Sequence, residues 1–179
     1  MLCSASVAFM SLRYIPVGEF TAVLTLVPLV ITLLASLLLR EHVPLLTWLL
    51  LVGGLCSALI VIRPQGNTFD THLLWPLLLV LINASYQILT SRMVRTEDPG
   101  SMHVITGLIC LLGSSVLVPE FWVPVAQPVT WLLIALMGVF GSLGHYVMSQ
   151  AYQSAPASTL APYMYAQIAF TTLAGQVGF

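Results

Sequence analysis

The sequence predicts an all-α membrane protein of about seven transmembrane helices, and three observations carry that expectation. Only 6% of the 179 residues are charged and 59% are hydrophobic, with a mean hydropathy of +1.00, whereas a soluble domain devotes about a quarter of its residues to charge. The charges cluster at 13 and 19, 40 and 41, 63 and 70, 92 to 98, and 120. The gaps are about 20 residues, the length of helix that crosses a hydrocarbon core about 30 Å thick at about 1.5 Å per residue. Finally, Tyr14–Pro64 reads as a membrane hairpin: two uncharged runs, Phe20–Leu39 and Val43–Ile62, are joined by Arg40-Glu41-His42 and bracketed by prolines.

Taken in order, the charge gaps give spans at Met1–Tyr14, Gly18–Leu39, Leu45–Ile62, His72–Met93 and Ser101–Pro119. The uncharged tail after Glu120 is too long for one helix. Gln127-Pro128 and Ser154-Ala155-Pro156 divide it, because proline lacks a donor and disfavours helix at the residue before it. Two more spans follow, Val129–Gln153 and Pro156–Phe179. Met1–Tyr14 is too short to cross a bilayer by itself, and Phe179 closes an apolar run with no polar anchor. The chain is therefore expected to be a fragment.

Internal repetition points the same way. A shift of 140 residues lays Ile15-Pro16-Val17 on Ala155-Pro156-Ala157 and Thr32-Leu33 on Thr172-Leu173. The two copies lie five spans apart, so they cross the membrane in opposite directions, as in an inverted-topology repeat of an alternating-access carrier. The turns at 40–42 and 92–98 hold Arg40, Arg92 and Arg95 against Arg13 and Arg63 on the other face. The positive-inside rule makes the first face cytoplasmic.

Composition also excludes. A net charge of -1 with no lysine leaves no basic patch for nucleic acid. Cys3, Cys56 and Cys110 stand far apart in apolar runs, so they read as packing residues and form no disulfide framework or CxxC pair. No metal-ligand pair, phosphate-cradling loop or cofactor motif is present. Gly113-Ser114-Ser115, with His145 one span on, is the one trace of an intramembrane serine protease, a motif without its structural context.

Polar side chains inside a bilayer are costly and face a bundle interior or cavity. Three stripes at helical spacing stand out: Asn83, Tyr86, Gln87 and Thr90; His145, Ser149, Tyr152 and Gln153; and Thr159, Tyr163 and Gln167. Each reads either as interhelical hydrogen bonding or as the wall of a shared polar cavity. The substrate-binding candidates are Asn83, Tyr86, Gln87, His145, Tyr152, Tyr163 and Gln167. His145 is read as a proton relay, an anion contact or a neutral hydrogen-bonding group. Glu19 suits the positive end of a helix dipole or a coupling role. Pro28 in mid-span is a hinge or a packing residue. The Gly53-x-x-x-Ser57, Gly54-x-x-x-Ala58, Gly138-x-x-x-Ser142 and Gly141-x-x-x-His145 spacings are read as close helix packing.

One series of short motifs runs Leu12-Arg13-Tyr14-Ile15-Pro16, Pro28, Leu39-Arg40-Glu41, and Gly53-Gly54 leading to Leu59-Ile60-Val61-Ile62-Arg63-Pro64. It continues with Tyr86, Arg92, Ala151-Tyr152, Ser154-Ala155-Pro156-Ala157 and Tyr165-Ala166-Gln167. In the order and spacing of these pieces the chain resembles the EamA family of the drug/metabolite transporter (DMT) superfamily. The resemblance implies ten spans from two inverted five-helix repeats. Residues 1–64 would be the last three helices of the first repeat, 65–71 the inter-repeat loop, and 72–179 a second repeat lacking its final helix. It places a cavity against spans one, two, four, six and seven. One departure is Arg40, where the family usually has Gly before the Glu, so a glycine-type backbone geometry is not implied there.

The expected function is a multi-pass carrier of the cell inner (plasma) membrane that moves small metabolites or drugs by alternating access. Its partners are the lipid bilayer and a small-molecule solute, and a homodimer is left open. The competing readings are a non-transporting truncated membrane protein and the intramembrane serine protease.

Overall fold

The computed structural model describes residues 2–62, 71–121, 125 and 127–170, and no strand occurs among them. The expectations for Arg63-Pro64, the loop 65–70, Thr172-Leu173 and the end of span seven fall outside the described residues. The helices are α1 (Leu2–Tyr14), α2 (Val17–Leu24), α3 (Val27–Leu38), α4 (Leu45–Ile62), α5 (Leu74–Met93), α6 (Pro99–Phe121), α7 (Pro128–Ser154) and α8 (Ala157–Leu160). A 3₁₀ turn, Thr71–Leu73, precedes α5, and a 3₁₀ segment, Ala161–Tyr165, follows α8. Among the described residues, four stretches are long and apolar enough to cross a membrane: Val17–Leu38, Leu74–Met93, Pro99–Val116 and Pro128–Ser154. With the shorter apolar helix Leu45–Ile60, they make this an all-α membrane protein.

The second span departs from a single helix. Its last turn tightens, with Leu26 N–H donating to the Val23 carbonyl at 3.0 Å, and α3 restarts at Val27. Pro28 explains the break: it has no N–H to return to Leu24, and it is tolerated in the first turn of a new helix, where that N–H has no partner anyway. The seventh span also departs. It is one α-turn, then the 3₁₀ segment with Pro162 at its start, then helical backbone over 166–170. Two helix entries match closely in backbone: Pro16 before α2 (φ -56, ψ 144) and Pro156 before α8 (φ -59, ψ 150).

α5 is the hub, packing on α1, α2, α3 and α7, while α3 also meets α8 and the 3₁₀ segment. The buried cluster joins Val27, Ile31, Ala35, Ala84, Ile88, Val94, Tyr152, Ala157 and Ala161. Lipid removes most of the hydrophobic drive between helices, so close van der Waals packing must hold them. The alanines supply it by letting backbones approach. Hydroxyls are satisfied locally, Ser11 donating to the Val7 carbonyl at 2.8 Å and Thr32 to that of Pro28 at 3.0 Å. No water is at hand to do so in a bilayer.

At the turn after α3, Arg40 is left-handed with φ 53. The Leu39 and Glu41 N–H groups both return to the Ala35 carbonyl, at 3.1 and 3.2 Å. The αL geometry is therefore present although the side chain is Arg. After α5, Asp98 starts α6, its Oδ2 accepting from the Ser101 N–H at 2.7 Å. With Pro99 opening the helix, this is a side-chain cap followed by proline in the first turn. That N–H, helped by the Ser101 hydroxyl, holds the Asp98 carboxyl below its usual range.

Candidate functional site

The break between α2 and α3 opens a cavity of about 240 Å³ against the middle of α5 and the segment after α8. Its lining includes Thr21, Thr25, Pro28, Asn83, Gln87, Tyr165 and Gln167. Hydroxyls, carboxamides and a phenol face it, together with Leu24, Val27, Met164 and Ile168, and none of the described residues lining it is charged. The Tyr165 hydroxyl donates to the Thr25 carbonyl at 2.9 Å, capping backbone polarity that the break exposes. Its ring lies against Gly54 so closely that an added Cβ would meet ring carbons. This is a close approach that only glycine allows.

Of the residues predicted from sequence, Asn83, Gln87, Gln167 and Pro28 are brought together here. Tyr152 stands behind them, 3% exposed, its hydroxyl donating to Gln87 Oε1 at 3.2 Å. That bond leaves the amide nitrogen as the donor end of Gln87. The stripe on α5 is divided, because Tyr86 and Thr90 line a second cavity of about 340 Å³ on the other side. There they meet Glu97, Ser101, His103, Thr106 and Ser149. His145 stands edge-on to Tyr86, ring centroids 6.4 Å apart. His103 Nε2 and Ser142 Oγ, 2.7 Å apart, join α6 to α7. α5 is thus a wall with an uncharged cavity on one side and a titratable one on the other.

Tyr163 is 73% exposed and Tyr165 takes the place against the cavity. The 3₁₀ segment explains the exchange: it advances about 120° per residue instead of about 100°, so five residues rotate the face by roughly 100°. Glu19 lies in the first turn of α2, partly buried, and lines neither cavity. Ser114 and Ser115 donate to carbonyls of their own helix, at Cys110 and Leu111, both at 2.7 Å. His145 meets an aromatic ring instead, so no Ser and His pair of a protease forms from them. Among the described residues no cluster of three or more His, Cys, Asp or Glu could hold a metal.

Sequence reasoning passed over Tyr165, Thr21, Thr25, His103 and Glu41 as site residues. Pro162 was the available signal for Tyr165, since it marks the change of winding. Glu41 gave no signal of its destination. Its Oε1 accepts from the Ala157 N–H at 3.3 Å, and its Oε2 accepts from the Ser158 N–H at 3.0 Å and the Ser158 hydroxyl at 2.7 Å. Arg95 Nη2 is 3.6 Å from Oε1. Only 9% of the Glu41 side chain is exposed.

Comparison with known proteins agrees with this architecture. The model of the EamA-like transporter family matches residues 71–177. The chain is 29% identical over 166 residues to a riboflavin transporter of Vibrio cholerae, which covers 92% of this chain and 55% of that protein. It is 24% identical over 176 residues to a riboflavin transporter of Brucella anthropi, covering 94% and 61%. It is 24% identical over 162 residues to an S-adenosylmethionine uptake transporter of Rickettsia prowazekii, covering 89% and 54%. The chain spans little more than half the length of these relatives. No solved structure matches.

Proposed function

The chain belongs to the EamA-like transporter family, and on that premise we propose that it forms part of an inner-membrane carrier for a small uncharged metabolite with a flavin-like ring. The cavity lining is the observation that carries this reading. Asn83, Gln87, Gln167 and Tyr165 offer neutral donors and acceptors, and none of the described residues lining the cavity is charged. A solute bearing charge would enter a low-dielectric site without a counter-charge, at a cost of several kcal/mol. Riboflavin is uncharged, and two of the relatives are named for it. S-adenosylmethionine, named for a third, carries a sulfonium, an ammonium and a carboxylate. The chemistry of the lining favours the flavin.

We propose alternating access as the mechanism, with 1–64 as the closing helices of one repeat, 65–71 as the connecting loop and 72–179 as the second repeat. Two relationships support it. Pro16 and Pro156 share backbone geometry at a separation of 140 residues. Thr25 and Tyr165, at the same separation, touch, and equivalent residues of an inverted pair meet only near the axis relating them. The turn at 40–42 is taken as cytoplasmic. A homodimer, if formed, would join the outward surfaces, where large hydrophobic side chains are exposed.

Binding by the full-length protein tests the reading through quenching of riboflavin fluorescence. Gln87→Leu and Gln167→Leu are expected to weaken binding about three- to tenfold, the worth of one neutral hydrogen bond each, with expression unchanged. Unaltered binding and transport in both variants would sink the assignment, as would equal competition by S-adenosylmethionine.

A further inference from the structure

We propose that Glu41 is a positioning residue for transport: it clasps the α8 segment and holds the solute cavity shut on the side of the Arg40–His42 turn. The inference rests on the carrier reading above. α8 is a single turn preceded by Pro156, which gives no side-chain cap, so its first N–H groups need an outside acceptor. Glu41 supplies one across 116 to 117 residues of sequence, binding the Ala157 and Ser158 N–H groups and the Ser158 hydroxyl. A carboxylate there also meets the positive end of aligned peptide dipoles, and its hydrogen bonds are of the stronger, charge-assisted kind. The left-handed Arg40 and the return of Glu41 N–H to the Ala35 carbonyl fix where that carboxylate stands.

Its place along the bundle gives the clasp its role. Cavity residues Pro28, Gln87 and Tyr165 each lie further along their helical segments from the turn than Glu41, Arg95 and Ser158 do. Between the two levels Ile31, Ala35, Ile88 and Ala161 are packed and buried. That plug closes the turn side. The same segment then carries Tyr165 and Gln167 into the cavity wall. Releasing α8 from Glu41 frees its start from α3, removes part of the plug and opens the cavity toward the turn.

The test measures sidedness in the full-length chain, with native cysteines replaced by serine and Thr21→Cys placed in the cavity wall. A membrane-impermeant maleimide is applied to right-side-out and inside-out vesicles. The parent is expected to label from the face opposite the turn. Glu41→Gln keeps the volume but loses the charge and an acceptor, and should raise relative labelling from the turn side about tenfold, the effect of one charge-assisted hydrogen bond on a two-state balance. Ser158→Ala should shift the ratio the same way by less. Unchanged ratios in both variants overturn the proposal. Loss of folded protein with unchanged sidedness in what remains does so too, because a purely structural cap behaves that way. Riboflavin quenching by the parent is read separately: its absence removes the solute reading while the labelling still reports on the clasp.

Discussion

Tyr165 donates its hydroxyl to the backbone carbonyl of Thr25, 2.9 Å away across 140 residues of sequence. The bond ties the broken second span to the tightened seventh at the wall of the cavity. Tyr165→Phe removes the donor and leaves a carbonyl in a break that lipid cannot hydrate. A loss of about 1–2 kcal/mol in unfolding free energy is expected, read from denaturant unfolding in detergent. No loss would mean that the bond is replaced by another donor.

Adjacent glycines on α4 should respond differently to the same change. At Gly54 an added Cβ meets the Tyr165 ring, whereas at Gly53 it meets nothing within 4 Å. Gly54→Ala is expected to destabilise by about 1–3 kcal/mol through overpacking. Gly53→Ala should be neutral or stabilising by up to about 1 kcal/mol, as for glycine in a helix interior. Thermal shifts of the two variants, measured side by side, check the contrast.

The left-handed Arg40 carries a steric cost that glycine does not. Arg40→Gly should therefore stabilise by about 0.5–1 kcal/mol, after the extra freedom of glycine in the unfolded chain is subtracted. Arg40→Val should destabilise. A stability order with Val above Gly would contradict the αL assignment.

Asp98 caps α6 through the Ser101 N–H, and that bond, with the Ser101 hydroxyl, lowers its carboxyl below the ordinary value of 3.8. A depressed folded-state pKa means that the capping contribution is present above the unfolded value and is lost as pH falls through the folded one. Asp98→Asn caps without ionising, so it should flatten this part of the acid limb. Unfolding curves from pH 6 downward, compared between the two proteins, would show it.

Much of the fold was legible because charge marks the membrane edge. α4 runs from Leu45 to Ile62 as expected, bounded on both sides by charged residues. The breaks were less legible: a proline announces lost hydrogen bonding but not whether a helix bends or restarts, and the observed break falls at Thr25-Leu26, before Pro28 itself. The site was half legible. Helical spacing put Asn83 and Gln87 on one face, but it also put Tyr163 with Gln167, which holds only while the winding stays at 3.6 residues per turn. Glu41 was beyond reach, since a contact across more than a hundred residues leaves no local pattern.

α5 is a partition with a cavity on either side. Because α5 lines both chambers, a tilt of this helix that enlarges the uncharged one moves its other face toward Glu97 and His103. The two chambers thus have one wall in common, with Asn83 and Gln87 on one face and Tyr86 and Thr90 on the other.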